Sequence, residues 1–293
     1  MTSIGRFKIG IHDHGHYRLD GGAMFGSVPR AIWSGLIPPD GANRIRLATN
    51  SLLVEGDGRR VLVDLGCGDK WHDKPRRIYG VEPVVPVPGA AEVTDVILTH
   101  LHFDHAGGIS RRVPGRESEL EPCYPAARVH LQEANLEVAR NPGPRERASY
   151  LEENVGVLAR CRLELVRGDA ELVPGFRVHR SDGHTRGLQW VEVRADGATV
   201  AFPSDLIPTA RHLPLAYAMG YDLNVERLLE EKAEFLRRAV EEDWIVVFVH
   251  DSEVPAARIK VDDRGHYAVR EAVALTTTGA VGSAPAPAEL PYP

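Results

Sequence analysis

The amino-acid sequence predicts a mixed α/β fold in a single domain, on three observations. Short β-branched runs occur in both halves of the chain, helix-period segments lie between them, and 293 residues suffice to bury one full core. The first clear element is a hairpin, in which Ser51 to Glu55 and Arg60 to Asp64 flank the turn Gly56-Asp57-Gly58. Val93 to Thr99 reads as a buried strand running into a histidine-rich loop. Further strands are predicted at Arg128 to Leu131, Leu163 to Val166, Phe176 to Arg180, Leu188 to Val193, Thr199 to Phe202 and Ile245 to Val249. Leu188-Gln-Trp-Val-Glu-Val shows the clearest alternation. Helices are predicted over roughly 145 to 160 and over 225 to 242. In the second, Val225, Leu228, Leu229, Leu236, Ala239 and Val240 recur at helical spacing behind a cap at Asn224. Residues 1–273 are expected to form the domain, and 274–293, rich in Pro, Ala and Thr, a loose or surface-wrapped tail.

Composition excludes several function classes. The net charge of −6 comes without a long basic stretch, which argues against a nucleic-acid partner. No run of 18 apolar residues exists to span a bilayer, and Met1 to Gly10 lacks the continuous apolar region of an export signal. Cys67, Cys123 and Cys161 are an odd count without close pairing, as expected of reduced thiols, so a cytoplasmic protein is expected.

The chemistry sits in the histidines. THLHFDHAGG follows the strand ending at Thr99 and places His100, His102, Asp104 and His105 within six residues. Imidazole and carboxylate suit Zn²⁺ or a similar divalent ion, and alternating histidines at a strand end converge on one ion. Asp104 and His105 point elsewhere, toward a second ion, while Gly107 and Gly108 let the backbone turn under the site.

HLHFDHAGG resembles the HxHxDH signature of the metallo-β-lactamase superfamily, whose fold is an αββα sandwich with the metal site at one edge of its two sheets. Gly183-His184-Thr185, Ser204-Asp205 and Val249-His250-Asp251, each after a predicted strand, match the remaining ligand turns of that family. The resemblance implies that His100, His102 and His184 hold one metal, that Asp104, His105 and His250 hold the other, and that Asp205 bridges both. Asp64 in LVDLG matches the family's Asp-x-Gly and is expected to orient a ligand histidine. Two divalent ions, zinc first and Mn, Fe or Co accepted by the same donors, would lower the pKa of a shared water toward ~7. The implied reaction is hydrolysis by a metal-bridging hydroxide, with Asp104 orienting it and taking its proton.

Within the superfamily the chain resembles the quorum-quenching lactonase (YtnP-like) and methyl-parathion-hydrolase-like branch, through LDGGAMFGSVPRAIW at 19–33. That segment and the apolar stretch at 206–222 supply candidate pocket residues Met24, Phe25, Trp33, His212, Tyr217 and Tyr221, each also open to an ordinary packing role. The expected substrate is a lactone with an apolar tail, of acyl-homoserine type. The alternatives are a phosphotriester or aryl ester, or a metal-holding binding protein without activity. Acyl-homoserine lactonases place a Tyr three residues beyond the bridging Asp, where this chain has Pro208; Tyr217, Tyr221, His212 or the metal itself would have to serve instead. A homodimer is implied by family resemblance alone. His12, His14 and His16 in HDHGH fall on one side of an extended chain, open to a metal-binding or a structural reading. His72, His130, His179 and His266 are expected at the surface or in hydrogen-bonded core positions.

Overall fold

The computed structural model describes residues 1–279. Among them, one sheet runs in spatial order Thr2–Ile4, Phe7–Asp20, Arg44–Gly56, Arg59–Val63, Asp95–Ile97, Arg128–Gln132 and Arg162–Val166. The second runs Ala170–Val173, Phe176–Ser181, Leu188–Ala195, Ala198–Phe202, Ile245–Val247, Ala256–Val261 and Tyr267–Ala272. The two-residue period of a strand explains why they stack. Leu52, Val54, Val61 and Val63 of the first sheet share a core with Val191, Val193, Val200, Phe202, Ile245 and Val247 of the second. Their neighbours Leu53 and Leu62 face outward onto Leu136, Val157 and Leu158. On the opposite outer face, Trp190, Ala201 and Val246 pack against Leu228, Phe235, Leu236 and Ala239. The result is the αββα sandwich that the resemblance implied.

Helix Val225–Glu241 forms as predicted, with the Asn224 side chain accepting from Arg227 N at 3.1 Å and the 3.6-residue apolar stripe turned to the sheet. The helix expected at 145–160 does not form. That stretch is a 3₁₀ turn Arg147–Ser149, one helical turn Glu152–Val155 and a second 3₁₀ segment Gly156–Arg160. Tyr150 and Leu151 between them are extended, which carries the Tyr150 hydroxyl to Thr185 Oγ1 at 2.9 Å. A tertiary contact overrides local propensity there.

The boundary of the expected tail is corrected, and HDHGH takes the structural one of its two readings. The expected tail does not begin at 274: Thr276–Gly279 is a strand parallel to Phe7–Asp20, pairing Thr278 with His12, while 280–293 lies outside the described residues. HDHGH lies inside the long strand Phe7–Asp20 and joins neither cluster of metal-donor side chains. His12 instead bonds Val85 O at 2.9 Å and Thr278 Oγ1 at 3.0 Å, and His14 bonds Ser51 Oγ at 2.7 Å. These histidines pin the strand to its neighbours.

Gly107 is required by proximity rather than by turning. Its φ is −58°, but a Cβ there would lie 2.1 Å from the carbonyl carbon of Cys67, because the loop after the first sheet's central strands presses directly on the HxHxDH segment. Gly107→Ala is expected to cost about 1–3 kcal/mol and to lower Tm by roughly 2–12 °C, measurable by calorimetry; an unchanged Tm would show that the two backbones separate freely.

Candidate metal centre

The strands end their C-terminal sides at one edge of the sandwich, and the loops there deliver every candidate ligand. His100 and His102 follow Asp95–Ile97, Asp104 and His105 start the short helix Phe103–Ala106, His184 follows Phe176–Ser181, Asp205 follows Ala198–Phe202, and His250 follows Ile245–Val247. One donor atom from each of His100, His102, His184 and Asp205 lies within 4.8 Å of the others, and Asp104, His105 and His250 form a second such group. Asp205 joins them. Its Oδ2 lies 3.2 Å from His184 Nε2, 3.4 Å from His105 Nε2 and 3.8 Å from His100 Nε2, and its Oδ1 is 3.1 Å from His250 Nε2.

The donor set fits a pair of divalent cations. All seven side chains are buried, yet Nε2 of His100 and His105 and Oδ1 of Asp205 have no hydrogen-bond partner. Buried polar atoms rarely stay unpaired, and aimed together they are the arrangement a cation satisfies. Burial, then the neighbouring imidazoles, hold His100 well below its usual pKa, so it is a neutral donor. Burial acts the same way on His105, but the carboxylates of Asp205, Asp104 and Asp64 outweigh it and raise that pKa. For Asp205, burial is overcome by His105, His250 and His184, which keep the carboxylate ionised.

The remaining ring nitrogens are fixed by a supporting layer. His105 Nδ1 bonds Asp64 Oδ2 at 2.8 Å, as the resemblance implied for Asp64. Asp64 also accepts from Thr99 N and Thr99 Oγ1, both at 2.8 Å. His184 Nδ1 bonds Asp222 Oδ1 at 2.8 Å, and His250 Nδ1 bonds Ala48 O at 2.9 Å. Each of these bonds leaves Nε2 as the nitrogen directed at the centre. Asp64 and Ser204 both hold left-handed φ values, +60° and +53°, where non-glycine residues are costly, and Thr99 ties them together through Ser204 Oγ at 2.8 Å. Asp64→Asn is expected to weaken metal binding roughly 10–100-fold; competition with a chromogenic chelator measures it, and unchanged affinity would reject the orienting role.

Beside the centre lies a cavity of about 160 Å³ lined by Tyr17, Leu19, Met24, Tyr79, Phe103, Met219 and Tyr221 together with Arg145, Ala148 and Ser149, with His102, Asp104, His184, Asp205 and His250 at its floor. Of the expected pocket residues, Met24 and Tyr221 are there. Phe25, Trp33, His212 and Tyr217 do not line it. Phe25 stacks between Trp33 and His212, with ring centroids at 5.9 and 4.6 Å, and meets Tyr217 edge-on at 6.3 Å. His212 is spent on Thr209 Oγ1 and Met24 O. The stretch 19–33 holds the short helix Gly21–Phe25 and the start of a second, Arg30–Leu36, and Phe25 and Trp33 on them stack behind the cavity wall.

Sequence reasoning missed Tyr17 and Asp222. Tyr17 is buried, lines the cavity and donates its hydroxyl to Asp104 Oδ2 at 2.5 Å, with His250 Nε2 at 3.5 Å. Burial, then the Asp104 charge, push its pKa well up, so it stays a neutral donor. The only signal in the sequence was its place directly after HDHGH, three positions beyond His14.

Comparison with known proteins agrees with this geometry. The family model of the metallo-beta-lactamase superfamily matches residues 44–250. An N-acyl homoserine lactonase of Bacillus sp is 28% identical over 163 residues, 54% of this chain and 56% of that protein. Ribonuclease TTHA0252 of Thermus thermophilus is 33% identical over 180 residues, 58% of this chain and 37% of that one. The chain thus spans little more than half the length of the curated lactonase it matches. A probable metal-dependent hydrolase from Staphylococcus aureus superposes with TM-score 0.83 at 26% identity, covering 93% of this chain and all, 100%, of that one. AidC, a dizinc quorum-quenching lactonase in complex with a product, superposes with TM-score 0.73 at 17% identity, covering 91% and 95%. With the family match spanning every ligand turn from His100 to His250, this chain belongs to the metallo-β-lactamase superfamily.

Proposed function

We propose that this protein is a cytoplasmic metal-dependent hydrolase that opens the ring of a lactone carrying an apolar tail. The observation that carries the reading is the convergence of unpaired imidazole and carboxylate atoms on Asp205 at the floor of a largely apolar cavity. His100, His102 and His184 would hold one divalent ion and Asp104, His105 and His250 the other, with Asp205 shared. When bound, such ions supply Lewis acidity and lower the pKa of water at the site, with zinc favoured by the donor set. The chain's own groups supply the rest. Asp104, held by the Tyr17 hydroxyl, presents a carboxylate to the cavity floor, where it can orient a water molecule and accept its proton. Leu19, Met24 and Met219 offer an apolar wall for the tail, and burial of the carboxylates excludes bulk water. Three free cysteines support a reducing compartment, and no helix among the described residues is long and apolar enough to cross a membrane.

The test is a pH-indicator assay on metal-loaded protein, comparing acyl-homoserine lactones of several chain lengths with a nitrophenyl phosphotriester and an aryl ester. Turnover of lactones, with kcat/KM rising with chain length, is the expected result. Preference for the phosphotriester or aryl ester would replace the lactone reading with that of another hydrolase, and no turnover of any of them would count against the substrate class.

A further inference from the structure

A second chamber of about 230 Å³ adjoins the catalytic cavity and shares Tyr79, Phe103 and Ala148 with it. Neither volume alone reaches the ~300 Å³ typical of small-molecule sites, whereas the two together do. The shared wall is aromatic: the Trp71 ring lies 5.2 Å from Phe103 and 5.8 Å from Tyr79. Phe103 stands between His102 and Asp104 in the sequence, so the partition between the chambers is built from the metal-binding segment itself. The second chamber is largely apolar, with Trp71, Pro75 and Leu151 among its lining residues.

One side chain there is out of place by every rule of burial. Asn154 lines the chamber and is fully buried, yet neither its Oδ1 nor its Nδ2 has a hydrogen-bond partner. Lys70, the other buried polar residue of the lining, differs. Lys70 donates from Nζ to the carbonyls of Gly107 and Ser110, and so is used up in bracing the loop beneath the ligands. An unpaired buried carboxamide is costly to keep, and it offers one acceptor and two donors side by side. A ligand group with both capacities, a hydroxyl or another carboxamide, is its natural complement.

We propose that this chamber is the distal part of the substrate site, and that Asn154 selects substrates whose apolar tail carries a hydroxyl or carboxamide group at its far end. The inference rests on the hydrolase reading above for its kinetic consequence, but not for the binding itself. Trp71 and Phe103 would cover the hydrocarbon, and Asn154 would take the polar end. Asn154 is then a specificity-determining residue that leaves the bond-breaking groups untouched.

The experiment compares metal-loaded wild type with Asn154→Leu, which keeps the branched shape of the side chain and replaces its polar atoms with bulkier methyl groups. Paired acyl-homoserine lactones of equal length, one ending in a methyl group and one in a carboxamide, are the substrates. Wild type is expected to show a KM about 10-fold lower for the carboxamide-ended lactone, and N154L to reverse that preference with kcat within about 2-fold. Absence of the preference in wild type, or an equal shift of both lactones in N154L, overturns the proposal. Binding is read separately by titrating hexanamide against the fluorescence of Trp71, with Trp71→Phe identifying that signal. A saturable change in wild type that N154L lacks supports the chamber even if no lactone is turned over, and that outcome would fault the substrate reading alone. No saturable change in wild type overturns the chamber whatever becomes of N154L.

Discussion

Asp205→Asn is expected to lower kcat/KM by on the order of 10³-fold and bound metal from two ions per chain toward one. The Asp205 carboxylate lies within 3.8 Å of imidazoles from both donor groups, His100 and His184 on one side and His105 and His250 on the other. Its negative charge would offset the repulsion between two cations held at that edge of the sandwich. An amide keeps the shape and one oxygen but loses the charge and half the donor capacity. Metal content by mass spectrometry and turnover on the same sample give the result. Two firmly bound ions with near-normal turnover would show that Asp205 is not shared.

Tyr17→Phe is expected to lower kcat roughly 10–100-fold at unchanged metal content, because it removes a hydrogen bond to a charged group worth about 1.5–3 kcal/mol. The phenol meets Asp104 Oδ2 at 2.5 Å inside the cavity, and phenylalanine preserves its packing against Phe103, 6.1 Å away between ring centroids. Asp104 would then swing between conformers and present its second oxygen less often. Separating kcat from KM distinguishes this positioning role from loss of substrate contact, since KM is expected to move less than 3-fold on that account. Loss of metal together with activity would instead make Tyr17 a structural support of the centre.

Much of the centre was legible because ligand geometry is local. HLHFDH compresses four donors into a strand end and one helical turn, and Gly183-His184-Thr185, Ser204-Asp205 and Val249-His250, matched through the family resemblance, each follow a strand within a few residues. The inward and outward faces of Leu188–Ala195 were equally readable, since a two-residue period leaves little freedom once one face is buried. Asp222, by contrast, lies 38 residues from the histidine it orients, in a stretch with no pattern of its own. Nothing between them announced the pairing.

Periodicity and tight donor spacing in the sequence determined a mixed α/β fold and the donor cluster from His100 to His105, while the sandwich, His184, Asp205, His250 and Asp64 followed from the resemblance of that motif to the metallo-β-lactamase superfamily. Only the tertiary structure decided which aromatics face the cavity. Tyr17 and Tyr221 line it while Phe25, Trp33, His212 and Tyr217 stack behind it, and all six are apolar or half-apolar residues in neighbouring segments. Burial stabilises such rings about equally on either side of a wall. Their allotment therefore depends on how the segments 19–33 and 206–222 pack against each other, a long-range contact that local sequence does not encode.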